Sequence, residues 1–356
     1  MNEKLRVGIV GSGVGQHHLR AFQDLPDMFE VVALCGTNEA KTRDLAAKYN
    51  IPRFSTDISE LYRMDDLDVI DLCTPSHQHV EQAQQALAVG KHVVCEKPVA
   101  GSLKEVDELI RAEAASEKRL LPIFQYRFGR GLQKLKLLVE EGVAGRAYLS
   151  TVETAWRRRA DYYATWHGRW DTELGGPLVT LAVHAHDVLT YVVGPVKRVM
   201  AHTATLVNPI ETEDCASVSL KVADGSLASL SVTTGSAAQI TRHRFCFSNL
   251  TAESNTEPYR NTIDPWTFTG DSPELEKRIE ETLSRFAPLP EGFTGEFYRY
   301  YHALQNNTEL PVTLVDARAS LELITAIYHS AETGQTVELP LNKDHPKYTG
   351  WCPSTA

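Results

Sequence analysis

Apolar and polar positions follow two different rhythms along this chain. Up to residue 124, short apolar runs alternate with stretches in which apolar residues recur every three or four positions. The runs at 5–10, 30–34, 68–73, 93–95 and 120–124 predict strands covered on both faces. Helical spacing runs between them: through Leu19, Ala21, Phe22 and Leu25 to Pro26, over 39–49, through Val80, Ala83, Ala86 and Leu87 to Gly90, and over 102–118. In the last of these, Ser102 and Glu105 have the spacing of a capping box. Regular alternation of strand and helix predicts a doubly wound parallel sheet.

Beyond residue 124 the period changes to two. Residues 216–222 and 227–234 each present one apolar and one hydroxyl-rich face, with Asp224-Gly225 as a hairpin turn between them. That hydroxyl face is either solvated or a contact between copies of the chain. Helices are expected over 294–306 and 316–332. Residues 253–293 are polar and turn-rich, and they suggest no role beyond a cover for a crevice.

A chain of 356 residues exceeds one ordinary core, so two domains are expected, 1–124 and 125–356. The net charge is 36 − 46 = −10, and no long basic run offsets it, which argues against a nucleic-acid partner. No apolar run is long enough to span a bilayer, and a strand starting at Leu5 leaves no room for a cleavable leader. The six cysteines contain no CxxC pair and read as buried thiols in a reducing, cytoplasmic setting.

The strand ends carry the chemistry. The first runs into GSGVGQHH, where Gly11, Gly13, Val14 and Gly15 form a glycine-rich turn opening a helix, a site for a pyrophosphate on backbone amides. Gly11 and Gly13 match G-x-G-x-x-G, and the third glycine falls one residue early. At the end of the second strand, a carboxylate would bind the ribose of NAD; Gly36, Thr37 and Asn38 stand there instead. The missing acid favours NADP over NAD, with Lys41 and Arg43 either binding a 2′-phosphate or forming a solvated helix face. Thr74 and Pro75 end the next strand where a cofactor would pass, and His79 is either a cofactor neighbour or a surface residue at a helix start. The stretch HVVCEKP then delivers Glu96 and Lys97 to the ligand-binding edge of the sheet. Lys97 can donate to a substrate hydroxyl and stabilise charge on its oxygen.

Together, GSGVGQHHLRAF, the TPSHQH turn and GKHVVCEKP resemble the Gfo/Idh/MocA family of NAD(P)-dependent oxidoreductases. QYRF at 125–128, the run from Gly175 to Asp187, Glu213-Asp214 and the stretch from Leu310 to Pro340 extend the likeness over nearly the whole chain. The resemblance implies an N-terminal Rossmann domain followed by an α+β substrate-binding and oligomerisation domain on an open, mostly antiparallel sheet. It also implies hydride transfer at a secondary carbinol of a sugar, cyclitol or related polyol, in a homodimer or homotetramer. By the family pattern His184 is the acid/base, a task that suits an imidazole. Thr180, four residues earlier and expected on the same helix face, stands where a carboxylate or amide is usual. His186 points nearly opposite and is expected to be structural. Tyr126, Arg127, Trp156, Arg157, Tyr163 and Trp166 are substrate-contact candidates, since aromatic faces pack on sugar rings and arginines fork onto hydroxyls or carboxylates. A cofactor-retaining glycoside hydrolase of the same fold and a non-catalytic dinucleotide sensor are the alternatives. No metal is called for.

Overall fold

The computed structural model describes residues 3–353. Two compact units emerge, one from the chain up to Ile123 with Phe293–Arg318, the other from Phe124–Gly292 with the chain from Ala319 onward.

In the first unit six strands, β1 (Leu5–Val10), β2 (Phe29–Cys35), β3 (Arg53–Ser55), β4 (Val69–Leu72), β5 (His92–Cys95) and β6 (Leu120–Pro122), form a sheet in the order β3-β2-β1-β4-β5-β6. Every pairing is parallel. The strand order reverses between β1 and β4, the switch point where open sheets of this kind bind ligands. The helices are α1 (Gly15–Gln23), α2 (Glu39–Lys48), α3 (Ile58–Tyr62), α4 (His79–Ala88) and α5 (Leu103–Ala114). Asn38 caps α2, Asp57 caps α3 and Ser102 caps α5, each accepting a first-turn backbone N–H. Glu105 reaches back not to Ser102 but to the N–H of Gly101, at 2.7 Å, so the box closes one residue early.

Residues 293–318 join this unit through aromatic packing. Phe297, on the helix Gly292–Asn306, stacks on Phe22 of α1 with centroids 4.0 Å apart, and Phe29 and Tyr301 extend the cluster. A single cut near residue 124 therefore does not describe the contacts, because the apolar face of α1 is covered by a segment nearly three hundred residues later.

The second unit is built on eight strands, β7 (Ala147–Arg157), β8 (Val196–Ala204), β9 (Cys215–Val222), β10 (Leu227–Thr233), β11 (Gly235–Phe247), β12 (Leu250–Glu253), β13 (Thr267–Gly270) and β14 (Val337–Glu338). Their order is β13-β12-β11-β7-β10-β9-β8-β14, antiparallel except for β7 with β10. Burial alternates along β9 and β10, with Val218, Leu220, Leu230 and Val232 inside and Ser217, Ser219, Ser229 and Ser231 exposed. Residues 253–293 are more ordered than their polarity suggests. They supply β13 and a helix, Pro273–Ser284, capped by Ser272. Trp266 is buried there and donates to the Asn261 carbonyl at 2.8 Å, beside Gly131, where a Cβ would collide with the indole.

Candidate active site

The turn after β1 is shaped for a close-approaching ligand. Gly11 has φ +108°, and a Cβ there would lie 2.3 Å from the Cys73 carbonyl oxygen, so only glycine fits. Gly15 opens α1, and its missing side chain lets the helix approach Ile9 and Cys73. That is the packing task of the third glycine, done one residue earlier than the usual spacing. A Cβ on Gly13, by contrast, would meet nothing within 4 Å. Val14 stands at the N-cap with no side-chain hydrogen bond; the Gln16 and His17 amides return to the Gly13 and Val14 carbonyls, and the positive end of α1 faces this turn. After β2, Thr37 and Asn38 are exposed. Asn38 turns its amide oxygen to the N–H of Lys41, Arg43 pairs with Glu39 and lies over the Phe54 ring, and Lys41 is exposed.

His79 is not a surface residue. It is 1% exposed, with Nδ1 2.8 Å from the Pro98 carbonyl and Nε2 2.9 Å from the Thr74 carbonyl. It ties the turn after β4 to the turn after β5, and burial holds its pKa below the ordinary value. The Thr74 hydroxyl donates to Gln82 at 2.7 Å, and Pro75 leads into a short 3-10 turn. Lys97 is half-buried at the carboxyl end of β5. Glu96, in contrast, is buried and turned inward: one carboxylate oxygen accepts the Lys97 backbone N–H at 3.0 Å, the other faces His18 Nε2 at 3.1 Å. His18 Nδ1 lies 3.0 Å from both oxygens of Asp71 and 3.4 Å from Cys73 Sγ. Sequence reasoning passed over this buried chain. The available signals were a histidine on the apolar stripe of α1 and an aspartate within an otherwise apolar strand.

In the second unit, the helix Val183–Val193 carries His184 and Asp187, three residues apart and so on one face. The 3-10 turn Gln125–Phe128 grips both. Tyr126 stacks on His184 at 4.6 Å, and Arg127 donates to both oxygens of Asp187, at 2.7 and 2.6 Å. Arg127 and Asp187 are buried, so this guanidinium is committed to orienting the histidine helix and is not an open pocket group. Thr180 belongs to a separate short helix, Pro177–Thr180, so the shared helix face expected of it with His184 does not exist. The amides of Leu181 and Ala182 both return to the Pro177 carbonyl, which tightens the turn and ends that helix. The Thr180 hydroxyl donates instead to the buried carboxyl group of Glu173 at 3.0 Å, so a carboxyl stands beside it after all. Glu213 is buried too, accepting from the N–H groups of Gly176 and Leu178 and from the Tyr328 hydroxyl; burial raises its pKa to about 7. His186 is buried with no partner at either ring nitrogen among the described residues.

The aromatic segment divides. Trp156 is 2% exposed and donates to Thr241, which makes it core. Arg157 reaches the Gly235 carbonyl at 3.4 Å, and the Tyr163 hydroxyl meets Thr234 at 3.2 Å. Arg158 lies against the Trp156, Tyr162 and Tyr259 rings. Arg159 and Trp166 are exposed, Trp166 stacking on His167 at 3.8 Å.

Comparison with known proteins adds to this geometry. Residues 5–124 match the oxidoreductase family with an NAD-binding Rossmann fold, and residues 132–250 match the GFO/IDH/MocA C-terminal domain. The uncharacterised oxidoreductase YrbE of Bacillus subtilis is 26% identical over 349 residues, 95% of this chain and 98% of its own. D-glucoside 3-dehydrogenase of Escherichia coli is 30% identical over 203 residues, 56% of this chain and 57% of its own, so that match spans little more than half of either protein. The crystal structure of WlbA dehydrogenase from Bordetella pertussis, in complex with NADH and UDP-GlcNAcA, has a TM-score of 0.84 and 30% identity, covering 96% of this chain and 100% of that one. Fold and glycine turn thus define a nicotinamide-dinucleotide-binding oxidoreductase. The chain belongs to the Gfo/Idh/MocA family.

Proposed function

We propose that the protein is an NAD(P)-dependent dehydrogenase or reductase acting on a secondary alcohol or ketone carbon of a sugar, cyclitol or related polyol. The observation that carries this most is the turn after β1: a helix start with no side-chain cap and open space at Gly13, beside the end of β4 with Thr74 and separated by that one strand from the end of β5 with Lys97. Gly11, Gly13, Val14 and Gly15 would hold the pyrophosphate, Gly36, Thr37 and Asn38 the adenosine ribose, and Thr74 and Pro75 the passage toward the nicotinamide. When bound, the nicotinamide gives or takes the hydride. His184 takes the hydroxyl proton as the carbon is oxidised, and Lys97 donates to that oxygen, lowering its pKa. Thr180, backed by Glu173, is a further polar contact for the substrate. Tyr163, Trp166 and Arg157 are substrate contacts by the same reasoning, and Tyr126 shapes the surroundings of His184.

NADP is taken in preference to NAD, since Gly36, Thr37 and Asn38 at the end of β2 put no carboxylate against a 2′-phosphate, and the exposed Lys41 forms no ion pair among the described residues. A homodimer or homotetramer in the cytoplasm completes the proposal. A panel of polyols, keto-sugars and one nucleotide-linked uronate, followed by reduced-nicotinamide absorbance with both cofactors, tests it. The expected result is net oxidation or reduction of at least one sugar or polyol, with the higher kcat/KM for NADP. Glycoside cleavage without net cofactor change would point to the hydrolase instead, and a strong NAD preference would overturn the cofactor assignment. The substitution His184→Asn should lower kcat by about 10²- to 10⁴-fold while cofactor affinity persists.

A further inference from the structure

The ring of His18 is 0% exposed and touches a carboxylate through each nitrogen, Asp71 at Nδ1 and Glu96 at Nε2. A neutral imidazole has one donor and one lone pair, so it would aim that lone pair at one of two acceptor groups. With a proton on both nitrogens, each carboxylate receives a hydrogen bond and the buried charges alternate in sign. We propose that His18 is a buried imidazolium that positions Lys97: it fixes Glu96, whose second oxygen holds the Lys97 backbone N–H, and thereby fixes the turn from which the lysine side chain leaves.

The surroundings fit a fixed charge rather than a titrating one. Asp71 and Cys73, on and after β4, and Glu96, after β5, face the ring, with the buried thiol of Cys95 at the end of β5 close by. From the helix Gly292–Asn306 the rings of Phe293 and Phe297 pack on it, at 4.6 and 5.4 Å, and shut out water, and the same helix carries the buried carboxyl of Glu296. Burial alone would lower the pKa of His18, but the negative groups beside it raise it well above the ordinary value. The same cluster also joins the ligand-facing turns, since Cys73 is the residue against whose carbonyl Gly11 packs. One helix side chain thus ties the glycine turn, the end of β4 and the lysine turn together. No metal is needed to account for the His18, Asp71 and Cys73 grouping, because a proton already satisfies it.

The role given to Lys97 rests on the proposed dehydrogenase activity; the protonation state does not. The first experiment is therefore ¹⁵N NMR of the full-length protein labelled at histidine, with the His18 signals assigned by their loss in His18→Gln. Both ring nitrogens protonated through pH 8 is the expected result, and a neutral tautomer at pH 7 would overturn the proposal whatever the enzyme does. The second is kinetic, with the best substrate of the panel: His18→Gln and Glu96→Gln should each lower kcat about tenfold or more with KM for the cofactor nearly unchanged. If His18 acts through Lys97, adding His18→Gln to Lys97→Met should cause no further loss. Multiplicative losses in that pair, or an unchanged kcat in His18→Gln, would overturn the positioning role. Should His18→Gln fail to fold, Glu96→Gln carries the kinetic arm and assignment passes to the remaining histidines by elimination. A Lys97→Met enzyme with normal turnover would instead refute the dehydrogenase mechanism and leave the NMR result standing.

Discussion

Arg127 and Asp187 show how single residues hold the candidate base in place. The pair is bidentate and buried, so removing one partner strands the other charge away from water. Arg127→Met should cost about 3–5 kcal/mol in urea unfolding, whereas Arg127→Met with Asp187→Leu should recover most of it. A loss below about 1 kcal/mol for the single variant would show that the pair is solvated or dispensable. At this scale the site was half legible. Lys97 could be read because its neighbours in sequence, an apolar strand and a proline, say where it lies. The partnerships of His18 could not, since they cross 53 and 78 residues. Nor could Arg127 be told from a substrate-binding arginine, because its aspartate lies 60 residues away.

Elements were more readable than residues wherever local chemistry sets them. Periodicity gave five of the six strands of residues 5–124 with the helices beside them, and Ser102 as a cap, but not β3 or α3, which at three and five residues are too short to show a period. The break after Thr180 was not legible either, since Leu181 and Ala182 carry no helix-stopping residue and the turn tightens through two amides sharing one carbonyl. Polarity likewise concealed β13 and the helix after Ser272, because an edge strand and an outer helix expose most of their side chains. The glycine turn lends itself to a test in which neighbouring glycines behave differently. Gly11→Ala meets both a positive φ and the Cys73 carbonyl, and should destabilise by about 3 kcal/mol or more. Gly13→Ala meets nothing, so its melting temperature should stay within about a degree or two of the parent. The added methyl would occupy the space proposed for the pyrophosphate, and NADPH and NADH titrations should both show weaker binding. Unchanged affinity in Gly13→Ala would place the dinucleotide elsewhere.

For the molecule as a whole, buried titratable groups set how stability follows pH. Burial lowers the pKa of His186 to about 3 and those of His243 and His92 to about 4. All three are neutral in the native state at pH 7, while the unfolded chain protonates them near pH 6.5. Their contribution is complete above that value and is lost as pH falls toward 4, by an amount on the order of a few kcal/mol for each group. Glu213 acts in the opposite sense, since a native pKa of about 7 means its contribution fades as pH rises from 4.5 through 7. One carboxyl offsets only part of three histidines. His18, raised well above 6.5, adds stability that is full below pH 6.5 and is lost only as pH climbs through its native value. The melting temperature should therefore peak between about pH 6 and 7, with the steeper fall on the acid side. His186→Leu separates these limbs. Its ring makes no hydrogen bond among the described residues, so leucine removes a buried polar group of similar size without stranding a partner. That variant should be more stable by about 1 kcal/mol or more at pH 7 and should show a shallower acid limb, with the alkaline limb unchanged. An acid limb as steep as the parent's would mean that the imidazole of His186 reaches water in the native state.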